Sequence, residues 1–150
     1  MTSSSKPCTM KLHKIISICL LALGSLACNA QRITNSSYNT IGYIKSDGTI
    51  QDGSYRTVGY IKSDGTVQNS SYNTIGYIRS NGTVQNSSYN TVGYIKSNGT
   101  VQNSSYRTIG YVKSDGTVQD AGFRTIGHAS SIPKRWTAFY FFFFDKVGDL

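Results

Sequence analysis

From Tyr38 onward the apolar and polar positions of this chain fall on a fixed grid of seventeen. The unit Tyr-Asn-Thr-Ile-Gly-Tyr-Ile-Lys-Ser-Asp-Gly-Thr-Ile-Gln-Asp-Gly-Ser begins at Tyr38, recurs from Tyr55, Tyr72, Tyr89 and Tyr106, and starts once more at Phe123. A short fixed period specifies an array of identical small elements, none of which can bury its apolar face alone. Within each unit the third to eighth places are rich in β-branched and aromatic residues and read as a strand. The next three are Ser-Asp-Gly at Asp47, Asp64 and Asp115, and Ser-Asn-Gly at Asn81 and Asn98. Asp or Asn before Gly marks a tight hairpin turn, because Gly accepts positive φ and the Asx side chain bonds back to its own backbone. A shorter strand, Thr-Val/Ile-Gln, and a second polar turn complete the unit. Each repeat is therefore a hairpin.

A type I turn closed by the Gly as a bulge sets the register: Lys45 faces Thr49, Ile44 faces Ile50, Tyr43 faces Gln51 and Gly42 faces Asp52. Ile44 and Ile50 then form a pair on one face, while Ile41, Tyr43, Gln51 and the Lys45 stem share the other. Apolar groups on both faces point to a hairpin sandwiched between neighbours. Burying three β-branched residues per unit, at about 1.5–3 kcal/mol each, makes a stack of five or six hairpins self-sufficient. Gly42, Gly59, Gly76, Gly93 and Gly110 stand in mid-strand, where Gly weakens pairing. Close approach of a Tyr ring or of a neighbouring strand is the physical reason to keep a bare backbone there.

The ends of the array are complementary halves. Arg32–Ser37 matches the second half of a unit and Phe123–His128 the first half, so together they can complete one more hairpin and close a ring. The expected fold is all-β: a radial or stacked ring of short β-hairpins, with a linear β-solenoid as the alternative. Residues 31–128 form the hairpin repeat domain and residues 129–150 an aromatic closing segment. In that segment Pro133 is expected to start a short helical turn, followed by a buried aromatic strand over Phe139–Phe144. The strand would fill the axis of the ring or cover one end, the alternative being an exposed docking patch.

Residues 1–30 read as a secretory signal peptide with Met10 as the working start. Lys11, His13 and Lys14 precede an apolar run from Ile15 to Ala27, which is too short to span a bilayer. Cleavage before Gln31 competes with a lipoprotein cut at Cys28, where Ser25 stands in place of the Leu that a lipobox favours. The expected location is periplasmic or extracellular, with an outer-membrane lipoprotein anchored through Cys28 as the alternative. All three cysteines fall in or beside this leader, so the repeats carry no disulfide. Removing the leader takes away Lys6, Lys11 and Lys14 and no acidic residue, which lowers the net charge from +8 to +5. That moderate charge, spread evenly, favours weak attraction to acidic polymers and does not specify a nucleic-acid binder.

Candidate chemistry is sparse. Beyond the leader there is one His, there is no Glu anywhere, and the only other acids are Asp. Nucleophilic dyads, zinc sites and paired-Glu mechanisms lack their residues, and no cofactor is expected. A turn position that takes either Asp or Asn serves turn geometry, which argues against catalysis or calcium binding there. The chain is not expected to be an enzyme. The one repeated surface suited to binding pairs Tyr43, Tyr60, Tyr77, Tyr94 and Tyr111 with Lys45, Lys62, Arg79, Lys96 and Lys113, two places on. Such rows can stack sugar rings while pairing with acidic substituents. The alternative packs the rings between hairpins and leaves the cations solvated.

Tyr-x-Thr-Ile-Gly-Tyr-Ile-Lys-Ser-Asp-Gly-Thr-Val repeats, a leader ending Asn29-Ala30-Gln31 and a terminal Lys-Arg-Trp-x-Ala followed by Phe residues occur together here. In this the chain resembles the five-fold β-flower repeat proteins exported by Gram-negative bacteria, over about Ile33 to Phe144. The resemblance implies a radial arrangement of hairpins and no particular activity. His128, in place of the Tyr of other units, departs from the pattern. A more distant likeness is to choline-binding repeats, whose Trp-rich cages this chain lacks. The functional expectation is an exported, non-enzymatic structural or interaction protein of the bacterial cell envelope. The alternative is a glycan-binding module whose partner is an acidic glycan or other envelope polymer.

Overall fold

The computed structural model describes residues 30–148. The expectations for the leader, including Met10 and lipidation at Cys28, lie outside the described residues. Twelve strands follow one another: β1 (Ala30–Asn35), β2 (Thr40–Lys45), β3 (Thr49–Asp52), β4 (Thr57–Ile61), β5 (Thr66–Asn69), β6 (Thr74–Ile78), β7 (Thr83–Asn86), β8 (Thr91–Ile95), β9 (Thr100–Asn103), β10 (Thr108–Val112), β11 (Thr117–Asp120) and β12 (Thr125–His128). Among the described residues two helices follow the strands, α1 (Lys134–Phe142) and α2 (Phe144–Gly148). The strands close into one antiparallel barrel in which β1 lies between β12 and β2, so the ring forms and the linear solenoid does not.

The hairpin register follows from the turn. Gly42 pairs with Asp52, Tyr43 with Gln51 and Ile44 with Ile50, and the same offsets recur in the next four hairpins. Gly48 N–H donates to the Lys45 carbonyl at 2.9 Å while Gly48 itself takes φ +86°. Asp47 Oδ1 accepts from Thr49 N–H at 2.9 Å, and Asn81 and Asn98 accept from Thr83 and Thr100 in the same way. The split half-units complete a sixth hairpin, with Thr34 opposite His128 and Asn35 opposite Gly127. Between hairpins the register slips: β4, β6, β8, β10 and β12 each carry one extra residue, Val58, Ile75, Val92, Ile109 and Ile126. Such bulges sharpen local twist and bend the sheet, which helps a chain of two-stranded units to close.

One face of every hairpin points into the barrel. The Ile44/Ile50 pair and its equivalents through Val112/Val118 are buried, as are Ile33 and Ala129 of the sixth hairpin. Eight strands make a barrel that its own side chains just fill, whereas twelve leave a lumen. Here the lumen is occupied by α1 and α2. Phe139 and Phe143 are fully buried and the neighbouring aromatics pack against the same core.

The mid-strand glycines make room for these helices. A Cβ at Gly42 would meet the Tyr140 hydroxyl, at Gly127 the Phe141 ring, at Gly110 Phe142, at Gly93 Phe143 and at Gly59 Phe144, while Gly76 lies against Val147. Four successive residues, Tyr140 to Phe143, thus face four successive hairpins round the ring. Tyr140 also donates its hydroxyl to the Ile41 carbonyl at 3.2 Å, and its burial raises the phenol pKa.

The closing segment is helical over its aromatic run, which corrects the expected strand. A strand inside a closed barrel has no edge to pair with, and its amides would be buried without partners. A helix bonds its own backbone and can stand alone in the lumen. Local signals for it are weak: Pro133 makes no side-chain cap, and the first turn of α1 has no acidic residue. Burial, not propensity, makes this helix.

The Gly93 and Gly76 positions separate the contribution of the rings from that of the sheet. At both, a Cβ also crowds a Gln carbonyl of the neighbouring strand, but only at Gly93 does it strike a buried aromatic, since Val147 stands 3.6 Å from the Gly76 position. Both G93A and G76A are expected to destabilise. By chemical denaturation G93A should cost about 1–3 kcal/mol more than G76A; equal losses would mean that the helices do not press on the glycine ring.

Candidate functional site

The two ends of the barrel are closed by turns of the same kind with different residues at the left-handed position. At the Ser-Asp/Asn-Gly end that residue is Gly, with φ between 85° and 90°. At the other end it is Tyr38, Tyr55, Tyr72, Tyr89, Tyr106 or Phe123, with φ between 61° and 65°. A side chain at positive φ costs about 1–2 kcal/mol because Cβ crowds the following carbonyl. Six bulky aromatics therefore sit where Gly or Asn is the easier choice.

Several contacts hold them there. Asn35 Oδ1 accepts from the N–H groups of Ser37 and Asn39, both at 3.0 Å, while Tyr38 N–H donates to the Asn35 carbonyl. Asp52, Asn69, Asn86, Asn103 and Asp120 do the same in later turns. Gln51, Gln68, Gln85, Gln102 and Gln119 each donate Nε2 to the carbonyl of the turn aromatic at 2.8–2.9 Å. Two turns add an ion pair, Arg56–Asp52 and Arg124–Asp120, both at 2.8 Å. Both pairs lie at the surface, where water and salt screen them, so the Asx, Gln and stacking contacts that recur from turn to turn matter more.

The turn aromatic then lies on the tyrosine of the preceding first strand. Tyr43 stacks on Tyr55, Tyr60 on Tyr72, Tyr77 on Tyr89, Tyr94 on Tyr106, Tyr111 on Phe123 and His128 on Tyr38. Ring centroids are 4.5–4.9 Å apart and planes within 16° of parallel. In the four Tyr–Tyr pairs the strand hydroxyl donates to the turn hydroxyl at 2.9–3.1 Å. That hydrogen bond, with burial and the adjoining phenol, raises the pKa of Tyr43, Tyr60, Tyr77 and Tyr94. The strand phenols stay protonated into more alkaline solution.

The sequence-predicted Tyr row is thus half-buried, each ring covered on one side by a turn aromatic and neither lost between hairpins nor fully free. The predicted cations behave less uniformly. Arg79 lies over the Tyr77 ring at 4.6 Å and reaches towards Tyr89 at 5.8 Å, and its Nε donates to Gln85. Lys62, Lys96 and Lys113 are exposed and Lys45 is half-buried. The residues that sequence reasoning missed are the turn aromatics, which keep 59–66% of their surface exposed, more than any other large apolar side chains among the described residues. Their signal was the aromatic at place one of every unit, directly after a polar turn.

Fold and site together define a closed ring of β-hairpins, plugged by helices and carrying six stacked aromatic pairs on its outer surface. The chain belongs to the 5-fold beta-flower protein family, whose model matches residues 30–145. No curated protein and no solved structure gives a significant match. Five hairpins of this ring are continuous in sequence and the sixth is made from its two ends. Among the described residues no helix is long and apolar enough to cross a membrane, and no cluster of His, Cys and carboxylates is placed to hold a metal.

Two outcomes test these turns. Replacing Tyr72 by Gly relieves the left-handed strain and loses the stack, worth about 0.5–1.5 kcal/mol, whereas Ala loses the stack and keeps the strain. Y72G should therefore be about 1 kcal/mol more stable than Y72A in urea unfolding. At the opposite end, the N–H groups of Thr49, Thr66 and Thr117 hold the Asp47, Asp64 and Asp115 carboxyls below their ordinary pKa. A depressed carboxylate pKa contributes stability above its unfolded value, and that stability is lost as pH falls through the folded one. The D47N/D64N/D115N protein should match the parent at neutral pH and lose less stability on acidification, measured by thermal melts from neutral pH to below about pH 4.

Proposed function

We propose that this protein is an exported, non-enzymatic interaction protein of the bacterial cell envelope that holds an acidic polysaccharide on its ring of aromatic pairs. The observation that carries the reading is the exposure of six aromatics kept at positive φ. A turn built for stability alone would use Gly, as the other end of the same barrel does. Flat, exposed, rigid rings suit the apolar faces of sugar units. The exposed Lys62, Lys96 and Lys113 nearby suit acidic substituents. Six weak platforms on one rigid ring add by avidity along a polymer, so no single pair needs high affinity.

Support for the non-enzymatic part comes from the repeated carboxylates. Asp47, Asp64 and Asp115 spend an oxygen on a turn N–H, and Asn81 and Asn98 do the same work without a carboxylate. Support for export comes from the leader sequence. A second reading has its own observation: each stack joins a strand to the turn two segments on, with a hydroxyl bond in four of six cases. On that reading the pairs are clasps that stiffen the ring and bind nothing.

Affinity electrophoresis distinguishes the two. The parent is expected to be retarded in native gels cast with polygalacturonate relative to gels without polymer. The Y55S/Y72S/Y89S/Y106S/F123S protein keeps the charge of the parent and should run close to its polymer-free mobility, with an unchanged circular-dichroism spectrum. An unretarded parent, or a folded variant retarded as strongly as the parent, would overturn the polysaccharide reading in favour of the clasp.

A further inference from the structure

The sixth hairpin, assembled from the two ends of the array, is not a copy of the other five, and its departures converge on one place. Where the other hairpins have Thr at the start of the second strand, this one has Arg32. Where they have Gln, it has Thr34; where they have Tyr in the first strand, it has His128; and Ser130 replaces Lys or Arg. These four residues and Tyr38 line a single cleft of about 270 Å³.

The geometry of the cleft follows from the shortening of Gln to Thr. In the other hairpins the Gln amide reaches the turn and ties down the carbonyl of its aromatic residue. Thr34 is too short to do so. It is 4% exposed, and its Oγ1 is buried with no hydrogen-bond partner. Buried hydroxyls without partners cost free energy; Thr137 Oγ1 in the plug is a second one, but only Thr34 lines a cleft, where a partner from outside the chain can meet it. Above it, His128 and Tyr38 form the flattest of the six stacks, 4.5 Å apart and 7° from parallel. At its edge stands Arg32, which makes no salt bridge among the described residues.

The chemistry of the lining selects the ligand. A guanidinium, two aliphatic hydroxyls, a phenol and an imidazole offer donors, and no carboxylate lines the cleft. An oxyanion is the group such a lining satisfies, because the guanidinium fork matches two acceptor oxygens and a hydroxyl can add a third bond. One formal positive charge balances a carboxylate better than a phosphate dianion. At about 270 Å³ the cleft has room for one molecule of monosaccharide size.

We infer that the seam between the first and last strands is a single binding site for a small carboxylate-bearing ligand of sugar-acid size, held by Arg32 and Thr34 beneath the Tyr38–His128 stack. The site is distinct from the five other aromatic pairs, since it exists once per ring and four of its five residues, Arg32, Thr34, His128 and Ser130, replace the residues that the other hairpins share. Breaking the repeat at the seam removes the Gln amide and leaves the Thr34 hydroxyl unpaired, and a carboxylate oxygen is an acceptor for that hydroxyl.

Isothermal titration with D-galacturonate, D-galactose, acetate and inorganic phosphate, on the full chain, tests this. Galacturonate should bind at one site per chain, galactose should not bind, and acetate should compete weakly. R32Q should weaken binding about tenfold or more. T34V keeps the shape and removes only the orphan hydroxyl; it should bind several-fold more weakly with an undiminished melting temperature. The repaired seam, R32T/T34Q/H128Y/S130K, should melt higher than the parent and not bind. Absence of galacturonate binding by the folded parent overturns the site. Equal binding of galactose, tighter binding of phosphate, or undiminished binding by the repaired seam would do the same. Serine substitutions at Tyr55, Tyr72, Tyr89, Tyr106 and Phe123 should leave galacturonate binding intact, so failure of polymer binding and failure of the seam site are separately visible.

Discussion

A ring of twelve short strands encloses more space than its own side chains can fill, and the rest of this structure is organised around that excess. Two Ile or Val side chains from each of five hairpins, with Ile33 and Ala129 from the sixth, make one inner layer. The space beyond it has to be filled without adding strands, since the barrel is already closed. A helix is the one regular element that meets its own hydrogen bonds there, and its aromatic side chains reach the wall in every direction. The wall makes way through glycines at the positions those rings approach. Glycine weakens each strand in isolation, yet six of them round a ring give the plug a matching groove. Closure, plug and mid-strand glycine are therefore one device, and none is explained without the other two.

The same economy appears at the ends of the barrel. Both sets of turns need one residue in the left-handed region, and one set uses Gly, whose carbonyl also receives an amide from the next hairpin, as Gly48 does from Ile61. The other set uses an aromatic and surrounds it with an Asx bond, a Gln bond and a stack. The stack and the strain are of similar size, so the aromatic brings little net stability. What it brings is position: a ring whose plane, edge and hydroxyl are fixed at the surface. Rigidity of that kind reduces the entropy lost when a partner is bound.

Much of the fold was legible in the sequence because the period is short and the turn chemistry is explicit. Asp-Gly and Asn-Gly set the register of every hairpin, and the split half-units foretold closure. The bulges at Val58 and its equivalents were not legible, because they arise where one hairpin meets the next, and nothing local to a repeat records that geometry. The Phe139–Phe144 run was legible as buried and illegible as helix, since a continuous apolar run lacks the periodicity that separates the two. In the candidate site the strand tyrosines were found by their spacing to the cations. Their partners lay twelve residues on, across an intervening strand, where only the folded register brings Tyr43 over Tyr55. His128 stood out in sequence as an exception, but its meaning depended on Thr34 and Arg32, ninety and more residues away and adjacent only once the ring is shut.

Repetition and exception divide the labour of this surface. Positions that repeat faithfully are held by constraints common to all hairpins, so their residues report on the ring as a whole: Ile and Val for the inner layer, Gly for the plug, the aromatic pairs for the outer rim. The seam is under a different constraint. It must join two ends that are not continuous, and the simplest join would repeat the consensus residues, since Tyr, Gln and Thr already pair well in the other hairpins. The chain instead carries four changes that meet in one cleft, and at least one of them leaves a buried hydroxyl unpaired. A closure optimised only for stability would not retain that cost. In a protein whose other positions are shared among repeats, the place where symmetry fails is where a unique partner has somewhere to bind.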